Sequence, residues 1–196
     1  MRNLRKGLAL LICIFVLSSC NESGSKITIE PYELSKKEQQ LLEKTGVGMI
    51  SYFTINGSLA ETEDIRYEVQ IFEDGKNTNG MFSLHGEMKR KLDNEIISFG
   101  VNTYQSLENE SVSTLLAGQP DGLTSTTKDH NMSSYSFSPL VNESITLSKN
   151  EPVYLAVWAG TTKNTLESLS SVNGALPDRI KDTELAFIYK VTLVEK

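Results

Sequence analysis
The chain of 196 residues has only two cysteines, Cys13 and Cys20, and nothing after residue 20 can form a disulfide. Everything downstream must therefore hold together through its apolar core. Thiol catalysis and cysteine–zinc sites are excluded there as well. Histidine is almost as scarce. His85 and His130 are the two present, neither has a second histidine nearby, and metal sites want two or three ligands within reach. No metal or cofactor is expected. No run of about twenty apolar residues exists to span a bilayer. No serine sits in a Gly-x-Ser-x-Gly elbow, and no phosphate-cradling or dinucleotide glycine pattern occurs. Asp74-Gly75 and Asp121-Gly122 lack the ligand spacing of a calcium loop. Glu108 and Glu110 fall in a polar turn, where solvated charge is the default reading.

What is present begins with an export signal. Arg2, Arg5 and Lys6 precede an apolar run of about ten residues from Leu8 to Leu17, and two small residues and a cysteine follow. Leu17-Ser18-Ser19-Cys20 resembles the lipobox of bacterial lipoproteins. That resemblance implies a diacylglyceryl group and palmitate-type acyl chains on Cys20, with cleavage before it. The expected location is then the cell membrane, lipid-anchored, on its extracytoplasmic face. Each buried methylene contributes about 0.8 kcal/mol, so two or more chains on one cysteine hold effectively permanently.

Removing residues 1–19 leaves 177, which suits one domain with a real core. Three of the 19 basic residues leave with the signal and none of the 25 acidic ones, so the mature net charge is −9. Phosphate backbones would be repelled, and nucleic acid is not an expected partner. Residues 20–30 read as a lipidated tether spanning roughly 17 Å if flexible, and 31–196 as a single domain, expected to be a monomer.

Ser35-Lys36-Lys37-Glu38 is a capping box, with Leu34 placed as a staple and Gly46 as a stop. It predicts a short helix over 36–45. Period-two patterns then take over. Ile65, Tyr67, Val69 and Ile71 alternate with polar residues, and Ile97, Phe99 and Val101 mark another strand. A weaker strand covers Val112 to Ala117, and Tyr135, Phe137 and Pro139 suggest an edge strand. Ile145 to Leu147 and Val153 to Ala159 read as a hairpin about the turn at Lys149–Pro152. Leu185 to Val194, apolar on both faces, reads as central. The expected fold is mainly β: an antiparallel, jelly-roll-like β-sandwich with one short N-terminal helix. Two connections, 117–132 and 160–183, read as long loops, and Leu166, Leu169 and Val172 suggest a helical turn in the second.

The tether, Pro31-Tyr32-Glu33-Leu34-Ser35, the helix ending Leu41-Leu42-Glu43-Lys44-Thr45-Gly46, and the closing pattern Pro152-Val153-Tyr154-Leu155-Ala156-Val157 resemble small lipoproteins of Gram-positive spore formers. The resemblance implies architecture and carries no functional residue.

Two functions fit these residues. One is a non-catalytic module binding an envelope protein or glycan through a sheet face or the long loops. The other is an enzyme with a dispersed hydrolase-type site in the loops after 117 and 160, for which Asp121, Asp129, His130 and Ser125 are the available residue types. Tyr154 and Trp158, two residues apart on one strand, could form a ligand-facing aromatic platform. They could equally be covered by the 160–183 link through Leu166 and Leu169. The covered arrangement is preferred, since strands apolar on both faces are usually buried on both.

Overall fold
The computed structural model describes residues 25–84, 89–105 and 111–196. Cys20, His85, Glu108 and Glu110 lie outside them. In chain order the elements are β1 (Thr28–Pro31), α1 (Lys36–Glu43), β2 (Met49–Ser58), β3 (Glu63–Glu73), β4 (Lys76–Leu84), β5 (Lys91–Gln105), β6 (Ser111–Gln119), β7 (Gly122–His130), β8 (Ser134–Pro139), β9 (Ile145–Thr146), β10 (Pro152–Thr161) and β11 (Leu185–Glu195). They form two antiparallel sheets. One has six strands in the order β7-β6-β5-β2-β1-β9, the other five in the order β4-β3-β11-β10-β8. The two sheets face each other as a sandwich, as the alternating patterns predict.

Between the sheets lies the main core. β3 supplies Ile65, Tyr67 and Val69, β5 supplies Ile97, Phe99 and Val101, and β11 supplies Phe187, Tyr189, Val191 and Leu193. β11 is central, between β3 and β10, and its other face is also buried through Ala186 and Ile188. A second apolar cluster there packs Val157, Ala159 and Phe72 beneath Leu169 and Ile180 of the 160–183 link. The link is thus a cover on the outside of the five-stranded sheet. It holds a 3-10 turn at Asp178–Asp182, and no helix forms through Leu166, Leu169 and Val172. Leu169 is buried, whereas Val172 is 80% exposed, so a spacing of three is here a loop folding onto the sheet.

Local chemistry accounts for several joints. The capping box forms as read: Ser35 Oγ accepts from the Glu38 amide, and the Glu38 carboxylate accepts from the Ser35 amide. The helix stops two residues earlier than expected, at Glu43. The β3–β4 hairpin turns on Asp74 (φ 48°) and Gly75 (φ 71°), the positive-φ pair that two-residue hairpins need. β4 follows directly, at Lys76.

Three further expectations are corrected. The tether does not reach Glu30. Ile27 and Ile29 are fully buried, and β1 lies between β2 and β9. Two apolar residues alternating over so short a stretch carry too weak a pattern to announce a strand without its neighbours. The 117–132 segment is no loop but the β6–β7 hairpin. Its second strand, Leu123-Thr124-Ser125-Thr126-Thr127, is a polar edge strand rich in β-branched threonine. Finally, 145–159 is no hairpin. β9 pairs with β1 in one sheet and β10 with β11 and β8 in the other, so the Lys149–Pro152 turn crosses between sheets.

Candidate binding face
The two sheets differ in how their outer surfaces are treated. The five-stranded sheet carries the 160–183 cover. The outer face of the six-stranded sheet is open: Ile96 is 45% exposed, Tyr104 50% and Leu123 63%. Strand register sets the residues of this face in rows. Tyr52 stands beside Ser98, then Gly118, then Leu123. The next row runs Ile50, Gly100, Leu116, Ser125, and the next Asn102, Thr114, Thr127. With strands about 4.8 Å apart, the four-strand width is about 14 Å, and Ile96 to Tyr104 spans about 26 Å along β5.

The middle of this face is low because Ser98, Gly100 and Gly118 place little there. Both glycines are held by packing. A Cβ on Gly100 would lie 3.1 Å from the Ile50 side chain, and one on Gly118 would lie 2.4 Å from Ser98 Oγ. A shallow trough results, walled by Ile50 and Tyr52 on one side and Leu116 and Leu123 on the other. Charge is confined to its corners, Glu30 and Asp129. Burial raises the Tyr52 hydroxyl above the ordinary tyrosine value, so it stays a neutral donor. At the β1–β2 end the face meets a groove of about 390 Å³, lined by Pro31, Tyr32, Tyr52, Pro139 and Asn142 among others. Tyr32 is fixed there by donating its hydroxyl to Glu38 at 2.8 Å.

The aromatic pair Tyr154 and Trp158 does not form a platform. A β-bulge shifts the β10 register between Tyr154 and Ala156, and this single extra residue puts the two rings on opposite faces. Trp158 points into the inter-sheet core, fully buried, stacked 4.9 Å from Phe187 and 5.8 Å from Tyr135. It is therefore covered by the opposite sheet and not by the link. Its indole Nε1–H has no hydrogen-bond partner among the described residues. Tyr154 lies on the outer side, opposite Lys190, whose ammonium is 2.9 Å from Glu68. That ion pair is nearly dry, with side chains 14% and 3% exposed, and nothing in the alternation of β3 marked Glu68 as buried.

A family model described as the YgaN domain matches residues 28–193. The chain belongs to that family. The matched span opens on β1 and closes within β11, so the YgaN domain here is the whole sandwich, open face and cover included. Neither a curated protein nor a solved structure matches the chain.

The residues offered for a hydrolase site in this YgaN domain are not assembled. Ser125 lies on the open face opposite Leu116. Asp121 sits at the β6–β7 turn, 3.7 Å from Lys89, and Asp129 points to the opposite side of β7 from His130. His130 instead meets Ser113 of β6. Its Nε2 is 2.9 Å from Ser113 Oγ, which is 2.7 Å from Thr103 Oγ1. The Met132 amide donates to His130 Nδ1 at 3.2 Å, so Nε2 carries the proton and donates to Ser113. A general base needs the reverse tautomer, with Nε2 accepting the serine proton. Ser113 is also completely buried. Thr103, Ser113 and His130 thus form a polar ladder across β5, β6 and β7.

After residue 160, Glu184 pins the start of the cover. It accepts from the Thr161 hydroxyl, from the Thr162 amide at 3.0 Å and from the Thr162 hydroxyl at 2.8 Å. These bonds, led by that of Thr161, hold its carboxyl below the usual range. The carboxylate is already engaged in holding the chain.

Proposed function
We propose that this protein is a lipid-anchored, extracytoplasmic lipoprotein whose sandwich is a non-catalytic binding module. Its ligand is a neutral glycan of the cell envelope, laid along the open face of the six-stranded sheet. The lipobox Leu17-Ser18-Ser19-Cys20 supports the anchor, and Cys20 is the lipid-bearing residue. The observation that carries the binding reading is the uneven treatment of the two sheets: one outer face has an apolar cover, the other an open trough.

The chemistry of the trough favours a sugar chain. The mature chain is strongly acidic, yet between the corner carboxylates Glu30 and Asp129 this face carries no charge, which disfavours an anionic polymer and gives a strongly basic partner little to hold. Tyr52, Ile50 and Leu123 offer surfaces for the C–H faces of pyranose rings. Asn102, Thr114 and Thr127 offer hydroxyl and amide groups for the sugar hydroxyls. The test is retention of the domain on neutral envelope polysaccharide, comparing the parent with Tyr52→Ala and Asn102→Ala. Weakened binding with an unchanged far-ultraviolet spectrum supports the reading. Equal retention of parent and variants would refute it, and transfer of binding to a protein component would move the occupant to a protein partner.

A further inference from the structure
The His130 ladder joins three strands of one sheet to the segment that crosses to the other. Met132 and Ser133 form that crossing, between β7 and β8. Met132 packs on the core beside Trp158, and Ser133 docks onto the start of the cover. Its amide donates to Thr161 at 2.9 Å, and its hydroxyl donates to the Thr162 carbonyl at 2.9 Å. Among the described residues, the side chain bonded to the Met132 amide is His130, through Nδ1.

We propose that His130 is an acid-sensitive latch on this crossing. A neutral imidazole accepts the Met132 amide at Nδ1 and donates to Ser113 at Nε2. A second proton can only enter at Nδ1, which turns both ring nitrogens into donors. The Met132 amide and the new Nδ1–H then point at one another. The bond is lost, and the charged ring lies half-buried against Trp158, 5.4 Å between centroids.

Few nearby groups can absorb that charge. On β7, Asp129 faces away, while Lys128, on the same face as His130, is itself positive and held by Glu73 at 2.7 Å. β6, β8 and β10 contribute no Asp, Glu, Lys or Arg, and β5 presents the neutral Thr103. Tyr135 of β8 brings a phenol and no carboxylate. Burial accordingly holds the His130 imidazole below its ordinary value of 6.5, with Asp129 opposing more weakly. A histidine whose folded value is depressed leaves the unfolded chain binding more protons as pH falls. Full stability is present above about 6.5 and is lost as pH falls through that value toward the lower folded one.

The consequence is a crossing, and with it the root of the cover, that loosens in mild acid. Trp158, the one tryptophan, reports on it directly. The full-length chain in detergent is titrated from about pH 8 to about pH 5, the window of histidine titration. Acrylamide quenching of Trp158 and exchange of the Met132 amide, taken relative to the intrinsic exchange rate at each pH, are followed. Both should rise as pH drops in the parent and in His85→Gln, and stay flat in His130→Gln. Should His130→Gln not fold, nuclear magnetic resonance of the two imidazoles in the parent, assigned with His85→Gln, decides alone: His130 must titrate below the ordinary histidine value. A pH transition that survives in His130→Gln, an unchanged Trp158 and Met132 across the window, or a His130 titrating at or above the ordinary value overturns the latch.

Discussion
Trp158→Ala offers the sharpest test of the core. The indole is fully buried, stacked on Phe187, and walled by Tyr135 and His130. An aromatic side chain of this kind buries about 150–250 Å². At about 25 cal/mol per Å² its removal costs about 4–6 kcal/mol as an upper limit. The orphaned Nε1–H works the other way: losing a buried, unsatisfied donor returns about 1–3 kcal/mol. The expected net loss is about 3 kcal/mol, at the low end of tryptophan truncations. For a domain of this size that lowers Tm by about 6–12 °C. Trp158→Phe keeps a ring on Phe187 and removes the same orphan donor, so it should stay within about 1 kcal/mol of the parent. Urea unfolding followed by circular dichroism measures all three proteins, and the parent's tryptophan emission should be blue-shifted. The reasoning fails if the alanine variant loses less than about 1 kcal/mol, or if phenylalanine is as damaging as alanine.

Lys190→Met strands the Glu68 carboxylate without its buried partner and should cost about 3 kcal/mol, while adding Glu68→Gln should restore most of it; denaturant midpoints of the single and double variants check this. Gly75→Ala forces a side chain onto a backbone at φ 71° with its Cβ 2.1 Å from the Lys181 carbonyl, so a loss above about 1 kcal/mol is expected. Gly122→Ala, whose Cβ would meet nothing within 4 Å, should leave the melting temperature nearly unchanged. Cys20→Ala should abolish labelling by radioactive fatty acid and leave the chain misprocessed; undiminished labelling would sink the lipobox reading.

Strand existence was legible in the chain because a strand half-buried on one face writes period two into its residues. β3 and β5 were readable on that ground, β11 from a run apolar on both faces, and the helix start from a capping box that forms through contacts three residues apart. What escaped was anything set by a partner distant in sequence. β1 is a strand because β2 and β9 flank it, and β7 because β6 pairs with its threonines. One bulge residue in β10 separated Tyr154 from Trp158, since a register shift of one moves every following side chain to the other face. Glu68 is buried because Lys190 sits opposite it, and Ser113 is tied to His130 by a diagonal across two strands. The sequence by itself determined that the fold is β, that it is cysteine-free beyond residue 20, and where its first helix begins, because each depends on composition or on near neighbours. Which sheet is covered, which face is open and which polar groups meet was decided only by tertiary structure, because alternation says that a strand has two faces and not what lies against either.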